Sequence, residues 1–258
     1  MNIWQAIGLG IVQALTEFLP VSSSGHLALT QQWLAIEGTQ GATFEVAVHL
    51  GTLLSVLCFF YQDLKQIIMT MRQQASQSTS LAWFIIFSSI PAGIIGVAFK
   101  DQIEALFQHT QTISIALCVT GCILIATLWL HGTRDHLKVS DAWWIGIAQA
   151  FAIIPGISRS GSTITMALVL GISRTQAARL SFLMSIPVVA GAGLLKAIDC
   201  VQNPPSADML VNLLVGGVTA FLVGLWALSL MLKWIQSKYF AWFGAYCLLM
   251  GLGHLVMP

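Results

Sequence analysis

The polar positions of this chain are concentrated in two short islands between long apolar runs. Residues 17–26 form the first island, with a polar turn at 20–25, and residues 155–163 form the second, with a turn at 155–161. Each turn lies between two apolar stretches too short to cross a bilayer. Because a spanning helix needs about 20 apolar residues, each island predicts a turn between two short helices. Such a re-entrant hairpin enters and leaves on one side, and its turn is tolerated where protein or water covers it.

Six longer apolar runs predict helices that cross a membrane, three after each hairpin. Pro91 lies inside one of them and predicts a kink. Residues 62–80 and 199–208 are predicted loops, the second because it contains Asn-Pro-Pro-Ser at 203–206. The predicted spans are residues 44–61, 81–99, 113–131, 177–198, 210–234 and 240–257.

The sequence repeats itself after 136 residues. This shift sets Gly-Ile-Val-Gln-Ala at 10–14 on Gly-Ile-Ala-Gln-Ala at 146–150, and Ser-Ser-Ser-Gly at 22–25 on Ser-Arg-Ser-Gly at 158–161. Each copy holds one hairpin and three spans, and three is odd, so the second copy is predicted to be inverted.

The predicted fold is therefore an all-α polytopic membrane protein with two inverted repeats, each a re-entrant helical hairpin plus three transmembrane helices. The first repeat covers about 1–131 and the second about 137–258, within a single integral membrane domain of residues 1–258. Inverted repeats with broken helices place their site at the repeat interface near the bilayer midplane.

Composition supports a lipid environment. Hydrophobic residues make up 57% of the chain and charged residues 8%, whereas a soluble domain carries about 25% charged residues. This excludes an ordinary soluble domain and makes membrane lipids the expected surroundings. The net charge of +1 gives no indication of a nucleic-acid partner.

The basic residues predict the orientation. Most fall on one side of the predicted topology, whereas Lys100 and Lys196 fall on the other beside acidic residues. Basic loops stay in the cytoplasm, so both termini and the mouth of the first hairpin are expected on the external side. The residues on the basic side are Lys65, Arg72, Arg134, Lys138, Arg174, Arg179, Lys233 and Lys238.

The first island carries groups suited to phosphate chemistry. Gln13 and Glu17 are four residues apart on one helix face. Residues 22–25 open a new helix, where free N–H groups attract anions, so Ser22, Ser24 and Gly25 are candidate phosphate contacts. Ser23 and His26 are three apart, so the imidazole could activate the hydroxyl or protonate a leaving group. Glu17 could orient that imidazole or hold a divalent cation.

The second island repeats this device and adds a guanidinium. Ser158, Ser160 and Thr163 surround Arg159, whose planar fork suits phosphate oxygens. Close helix packing is the alternative for Ser24 and Ser160. Glu45 and His49 are also four apart, and they are interpreted either as site residues or as side chains that reach the interface.

These segments resemble a known family. Gln-Ala-Leu-Thr-Glu-Phe-Leu-Pro-Val-Ser-Ser-Ser-Gly-His at 13–26 and Pro-Gly-Ile-Ser-Arg-Ser-Gly-Ser-Thr at 155–163 look like the two signature motifs of the bacterial undecaprenyl-diphosphate phosphatases of the bacitracin-resistance type. Phe-Glu-Val-Ala-Val-His-Leu-Gly at 44–51 resembles a third shared segment. The family motif admits Glu or Gln at position 13, and relatives often carry Gln where this chain has His49.

The resemblance implies hydrolysis of a C55 isoprenoid diphosphate to its monophosphate outside the cytoplasm of a bacterium, at its inner membrane. This would recycle the lipid carrier for peptidoglycan and confer bacitracin resistance. It also implies a divalent cation, Mg²⁺ or Ca²⁺, with Glu17 as a candidate ligand.

Within this expected reaction, Ser23 is assigned as nucleophile or polarising hydroxyl, His26 as general acid or base, and Arg159 as the diphosphate clamp. Gln13 and Glu45 are added to the substrate-binding set. The rival function is a transporter or flippase of a polyprenyl phosphate, and a homodimer is one option for assembly.

Overall fold

A computed structural model describes residues 1–36, 39–72, 76–107, 109–202 and 205–256. Within these ranges the chain forms twelve α-helices and no β-strand, which confirms the all-α prediction. The helices are α1 (Ile3–Phe18), α2 (Ser23–Trp33), α3 (Thr39–Phe59), α4 (Tyr61–Arg72), α5 (Ser76–Ala98), α6 (Lys100–Leu106), α7 (Thr110–Ala126), α8 (Val139–Phe151), α9 (Arg159–Val169), α10 (Arg174–Gln202), α11 (Ala207–Trp234) and α12 (Trp242–Val256).

Both predicted hairpins are present as pairs of short helices. α1 and α2 form the first, and α8 and α9 form the second. α1 ends at Phe18 because Leu19 precedes a proline and takes an extended conformation, with φ −68° and ψ 143°. The second turn contains Gly156 at φ +96°, a left-handed conformation that glycine adopts without steric cost.

Five of the six predicted spans are helices long and apolar enough to cross a membrane, namely α5, α7, α10, α11 and α12. The sixth, α3, passes the same test together with α4, from which it is bent by 68°. The predictions were wrong in two places. α4 occupies much of the predicted loop at 62–80, and the predicted loop at 199–208 is shorter because α10 continues to Gln202 and α11 begins at Ala207.

Each hairpin packs against a span of the other repeat. α1 lies along α11, and α8 lies along α5. A Cβ added to Gly10 would be 2.7 Å from the Gly216 carbonyl oxygen, and one added to Gly146 would be 2.7 Å from the Ser88 carbonyl oxygen. These two glycines are related by the 136-residue shift, so the repeat in sequence corresponds to a repeat in packing. The inversion of the second copy stays a prediction.

The apolar core lies beneath the turn of the first hairpin. Phe18 at the end of α1 and Phe182 on α10 are fully buried and meet edge to face, with ring centroids 5.8 Å apart. α10 also contacts α3, α5 and α9. Glu17 directly precedes Phe18 and Ser181 directly precedes Phe182 in the sequence. The packing of the two aromatic rings therefore fixes the backbone from which these two polar residues extend.

The close approach of α3 to α11 gives a first prediction. Gly51→Ala would place its Cβ against the backbone carbonyl of Gly217, which cannot rotate away. We expect a loss of about 1–3 kcal/mol of stability and a lower Tm in detergent. Gly8→Ala is the matched control because its Cβ would meet nothing within 4 Å. Equal Tm values for the two variants would contradict close packing of α3 on α11.

Candidate active site

The two hairpin turns meet and carry the same helix cap. The Ser22 hydroxyl accepts the Gly25 N–H at 3.4 Å, and the Ser158 hydroxyl accepts the Gly161 N–H at 3.0 Å. A Cβ on Gly25 would be 3.1 Å from the Gly156 Cα, so the backbones of the two turns are in contact. Two helix N-termini, whose first-turn N–H groups and dipoles attract anions, therefore lie side by side.

Glu17 is the centre of the hydrogen-bond network between the hairpins. Its Oε1 accepts from Arg159 Nη2 at 2.6 Å, and its Oε2 accepts from the Ser23 hydroxyl at 2.5 Å. Gln13 Nε2 donates to the same Oε2 at 3.2 Å. Four predicted site residues, Glu17, Ser23, Arg159 and Gln13, are thus brought together across the repeat interface.

Arg159 is fixed from a second side by α10. Its Nη1 donates to the Ser181 carbonyl at 2.9 Å, while the Ser181 hydroxyl lies 2.8 Å from the Thr163 hydroxyl. Thr163 also donates to the Arg159 carbonyl at 2.8 Å. Thr163, a predicted substrate contact, therefore supports the first turn of α9 and does not line the cavity. A guanidinium has five N–H donors, so Arg159 keeps others for a phosphate.

A cavity of about 260 Å³ lies between the turns. Its polar end includes Glu17, Arg159 and the three serines of the first turn, and its other walls come from α3, α5, α8 and α10. The predicted residues that line it are Glu17, Ser22, Ser23, Ser24, Glu45, Ser158, Arg159 and Ser160. Gln13 and Gly25 lie outside the lining. Gln13 contributes indirectly, through its hydrogen bond to Glu17.

His26 does not face this cavity. Its Nδ1 lies 2.8 Å from the Ser22 carbonyl oxygen, and its Nε2 lies 2.8 Å from the hydroxyl of Tyr246 on α12. The side chain is 6% exposed. The hydroxyl of Ser23 is bound by Glu17 instead, so the structure does not form the predicted Ser23–His26 pair.

His49, for which the spacing from Glu45 left a site role and an interfacial position open, lines the cavity with its Nε2 3.6 Å from Glu17 Oε2. Other lining or supporting residues were not among the predicted site residues. Gln149 lines the cavity as well, and the 136-residue shift from Gln13 identifies it. Ser181 and Tyr246 have no local signal, since neither belongs to a polar island.

The donor set does not fit the predicted metal site. Among the described residues, no three His, Cys, Asp or Glu side chains are grouped so that they could hold a metal ion. Both oxygens of Glu17 accept hydrogen bonds from protein donors. Position 13, which could supply a second carboxylate, carries an amide that donates to Glu17. The positive charge beside Glu17 in this structure is the guanidinium of Arg159.

An apolar groove of about 460 Å³ adjoins the polar cavity. It runs between α5, α6 and α8, and Ile153 lines both spaces. Its wall is almost entirely aliphatic and aromatic. The lining residues are Pro91, Ile94, Ile95, Ile103, Ile147, Ala150, Phe151, Ile153 and Ile154.

Fold and site together define a class: polytopic helical membrane proteins with a polar cavity, containing a buried ion pair, between two helical hairpins. A family model, described as bacitracin resistance protein BacA, matches residues 6–253. The chain belongs to this family, which confirms the membership predicted from the two motifs.

Proteins named undecaprenyl-diphosphatase are similar over nearly the whole chain. The protein from Thermomicrobium roseum is 40% identical over 269 residues, covering 98% of this chain and 96% of its own length. That from Pelotomaculum thermopropionicum is 38% identical, covering 100% and 97%. That from Geobacter metallireducens is 40% identical, covering 99% and 98%.

The position of Arg159 gives a second prediction. Arg159→Lys replaces a planar fork, which bridges Glu17 and the Ser181 carbonyl, by a single ammonium. We expect a fall in kcat/KM of about 10²-fold, measured as phosphate released from a lipid diphosphate. Arg179→Lys is the control because Arg179 pairs with Asp63 and does not line the cavity. Near wild-type turnover of correctly inserted Arg159→Lys protein would contradict the clamp.

Proposed function

We propose that this chain hydrolyses undecaprenyl diphosphate to undecaprenyl phosphate and phosphate, which returns the lipid carrier to cell-wall synthesis and confers bacitracin resistance. One observation carries this proposal. A serine hydroxyl is held on a buried carboxylate, beside an arginine and two helix N-termini, in a cavity that adjoins an apolar groove.

Ser23 is the nucleophile in this proposal and Glu17 its base. The Ser23 O–H already points to Glu17 Oε2, so the carboxylate takes the proton as the oxygen attacks the terminal phosphorus. The bond from that phosphorus to the bridging oxygen breaks, and the lipid monophosphate leaves with the electron pair. Water then cleaves the phosphoserine, and the proton returns to Ser23.

Charge on the transferred phosphoryl group is stabilised by Arg159 and by the N-termini of α2 and α9. These donors are fixed before substrate arrives: Arg159 by Glu17 and the Ser181 carbonyl, the helix starts by their serine caps. Preorganised donors of this kind lower the barrier without reorganising during the reaction. Ser158 and Ser160 add hydroxyls at the same wall of the cavity.

The apolar groove holds the first isoprene units of the tail. Its wall offers almost no polar surface, and it meets the phosphate cavity at Ile153. The tail of a lipid diphosphate comes from the bilayer, so the groove gains packing contacts with it and no water-to-oil transfer energy. Inorganic pyrophosphate has no tail to make these contacts or to bring it to the membrane. This gives the site its preference for a lipid substrate.

The divalent cation implied by the family resemblance is assigned to the substrate. Mg²⁺ is commonly held by substrate phosphates with one or two carboxylates and does not need a preformed protein cage. Titration of Mg²⁺ into lipid-free protein is expected to show no binding in a calorimeter, whereas EDTA is expected to lower turnover of the lipid.

The function is tested by incubating purified protein in detergent with C55 diphosphate and measuring the phosphate that is released. Turnover of the lipid with little turnover of inorganic pyrophosphate supports the proposal. Lipid movement across vesicles without phosphate release would favour the rival flippase, for which the Ser23–Glu17 pair has no role. All groups named above come from one chain, and the homodimer stays a prediction.

The two serine-rich turns give a third prediction. Ser23→Ala is expected to lower kcat by at least ~10⁴-fold because it removes the attacking oxygen. Ser160→Ala, at the matching turn of the second hairpin, is expected to raise KM about 3- to 10-fold, with kcat nearly unchanged. Equal and mild effects would reduce both serines to phosphate contacts and leave water as the nucleophile.

We propose further that the cavity opens to the external side of the inner membrane. Three arginines that the sequence places on the basic side of the topology make contacts within that side. Arg134 binds Asp141, Arg179 binds Asp63, and Arg174 binds the Thr127 carbonyl. Positive charge stays in the cytoplasm, so this cluster faces inward and released phosphate leaves outward.

Labelling of single cysteines checks this orientation in a cysteine-free background. A cysteine at Ser206, exposed before α11, is expected to react with a membrane-impermeant maleimide in intact cells. A cysteine at His136, exposed before α8, is expected to react only after lysis. The opposite result reverses the orientation, and labelling of both positions from outside would contradict the predicted number of spans.

A further inference from the structure

The first hairpin turn is held from behind by the last helix of the chain. On α12, the hydroxyl of Tyr246 lies 2.8 Å from His26 Nε2, and the two rings stack with centroids 5.5 Å apart and planes 12° apart. On its other side, His26 Nδ1 lies 2.8 Å from the Ser22 carbonyl oxygen. A continuous path of hydrogen bonds therefore joins α12 to Ser22.

The chemistry of the partners fixes the direction of these bonds. A carbonyl oxygen only accepts, so His26 Nδ1 carries the hydrogen and donates to Ser22. In a neutral imidazole the other nitrogen then accepts, so the Tyr246 O–H donates to Nε2. Both ring nitrogens are occupied, and neither faces the cavity that holds Ser23.

Ser22 needs such support because its backbone is strained. It has φ +71°, a left-handed conformation that a residue with a Cβ rarely adopts. Such residues persist where their surroundings hold them. Ser22 caps α2, lines the cavity and directly precedes Ser23, so its carbonyl orientation sets where the Ser23 hydroxyl begins.

The second hairpin has a matching support from the first repeat. Thr120 on α7 donates to the Gly156 carbonyl at 2.9 Å and accepts the Ser158 N–H at 3.0 Å. Each turn is thus held by one hydroxyl from the last span of the other repeat. α7 and α12 pack against each other, so both supports stand on one helix pair.

We propose that Tyr246 is a positioning residue for phosphate transfer, and that His26 relays its hydrogen bond to Ser22 instead of exchanging a proton with substrate. Thr120 has the same role for the second turn. This inference rests on the proposed function, since it concerns how Ser23 is aimed at the phosphate.

The test compares Tyr246→Phe, His26→Gln and His26→Ala in the phosphate-release assay. Tyr246→Phe removes only the O–H and is expected to lower kcat about 10-fold or more through misplacement of Ser23, with KM within about 2-fold because the cavity's phosphate donors remain. Tyr239→Phe is the matched control, since Tyr239 is exposed and outside the site.

The histidine variants separate positioning from proton exchange. A glutamine amide can donate to Ser22 and accept from Tyr246, so His26→Gln is expected to keep at least about a tenth of wild-type kcat and an unchanged pH profile. His26→Ala breaks both bonds and is expected to lose about 10²-fold. If His26→Gln is as inactive as His26→Ala, or loses a limb of the pH profile, the relay proposal is overturned.

Wild-type turnover separates this inference from the proposed function. If wild-type protein releases no phosphate, the function fails; if it does and Tyr246→Phe matches it, only the positioning role fails. Elution volume and Tm show whether each variant is folded. If Tyr246→Phe does not fold, the comparison of His26→Gln with His26→Ala decides the proposal alone.

Discussion

The ion pair between Glu17 and Arg159 is the interaction on which the rest of the site depends. It joins the two hairpins at 2.6 Å, with side chains 10% and 17% exposed. Two charges at low dielectric attract strongly, but each loses its hydration, so the pair is stable only when further hydrogen bonds complete it. Ser23, Gln13 and the Ser181 carbonyl provide those bonds, and Ser23 also lines the cavity together with Glu17 and Arg159.

The same few polar residues both stabilise one another and form the site, so a chain that is 57% hydrophobic needs no further polar residues to build it. A buried polar group without a partner is costly, so groups that bind phosphate must have partners in the free protein as well. Arg159 donates to Glu17 and to the Ser181 carbonyl, and the Ser23 hydroxyl donates to Glu17. In the proposed reaction, substrate meets donors that are already desolvated and oriented, an arrangement that lowers a barrier and does not only bind.

Much of this could be predicted from the sequence. Apolar length identified the spans. The polar islands identified both turns, because the apolar stretches on either side of each island are too short to cross a bilayer. The meeting of the islands followed from the repeat. The orientation of His26 could not be predicted: its spacing from Ser23 is local, but its direction is set by Tyr246, 220 residues away. The supporting role of Ser181 was missed for the same reason, since its partners lie on α9. α4 was missed because a polar interval between spans suggests a loop.

The separation of Glu17 and Arg159 along the chain also matters while the protein is being made. They are 142 residues apart, so at ordinary ribosome speeds roughly 7–28 s pass between their synthesis. During that time the first hairpin has a carboxylate and no guanidinium, and a lone charge at membrane depth is costly. We therefore expect the first hairpin to stay at a hydrated interface, with Glu17 in water, until α9 emerges. Insertion of α3–α7 and assembly of the site are then expected to be separate events, with the site completed when the second hairpin reaches the first.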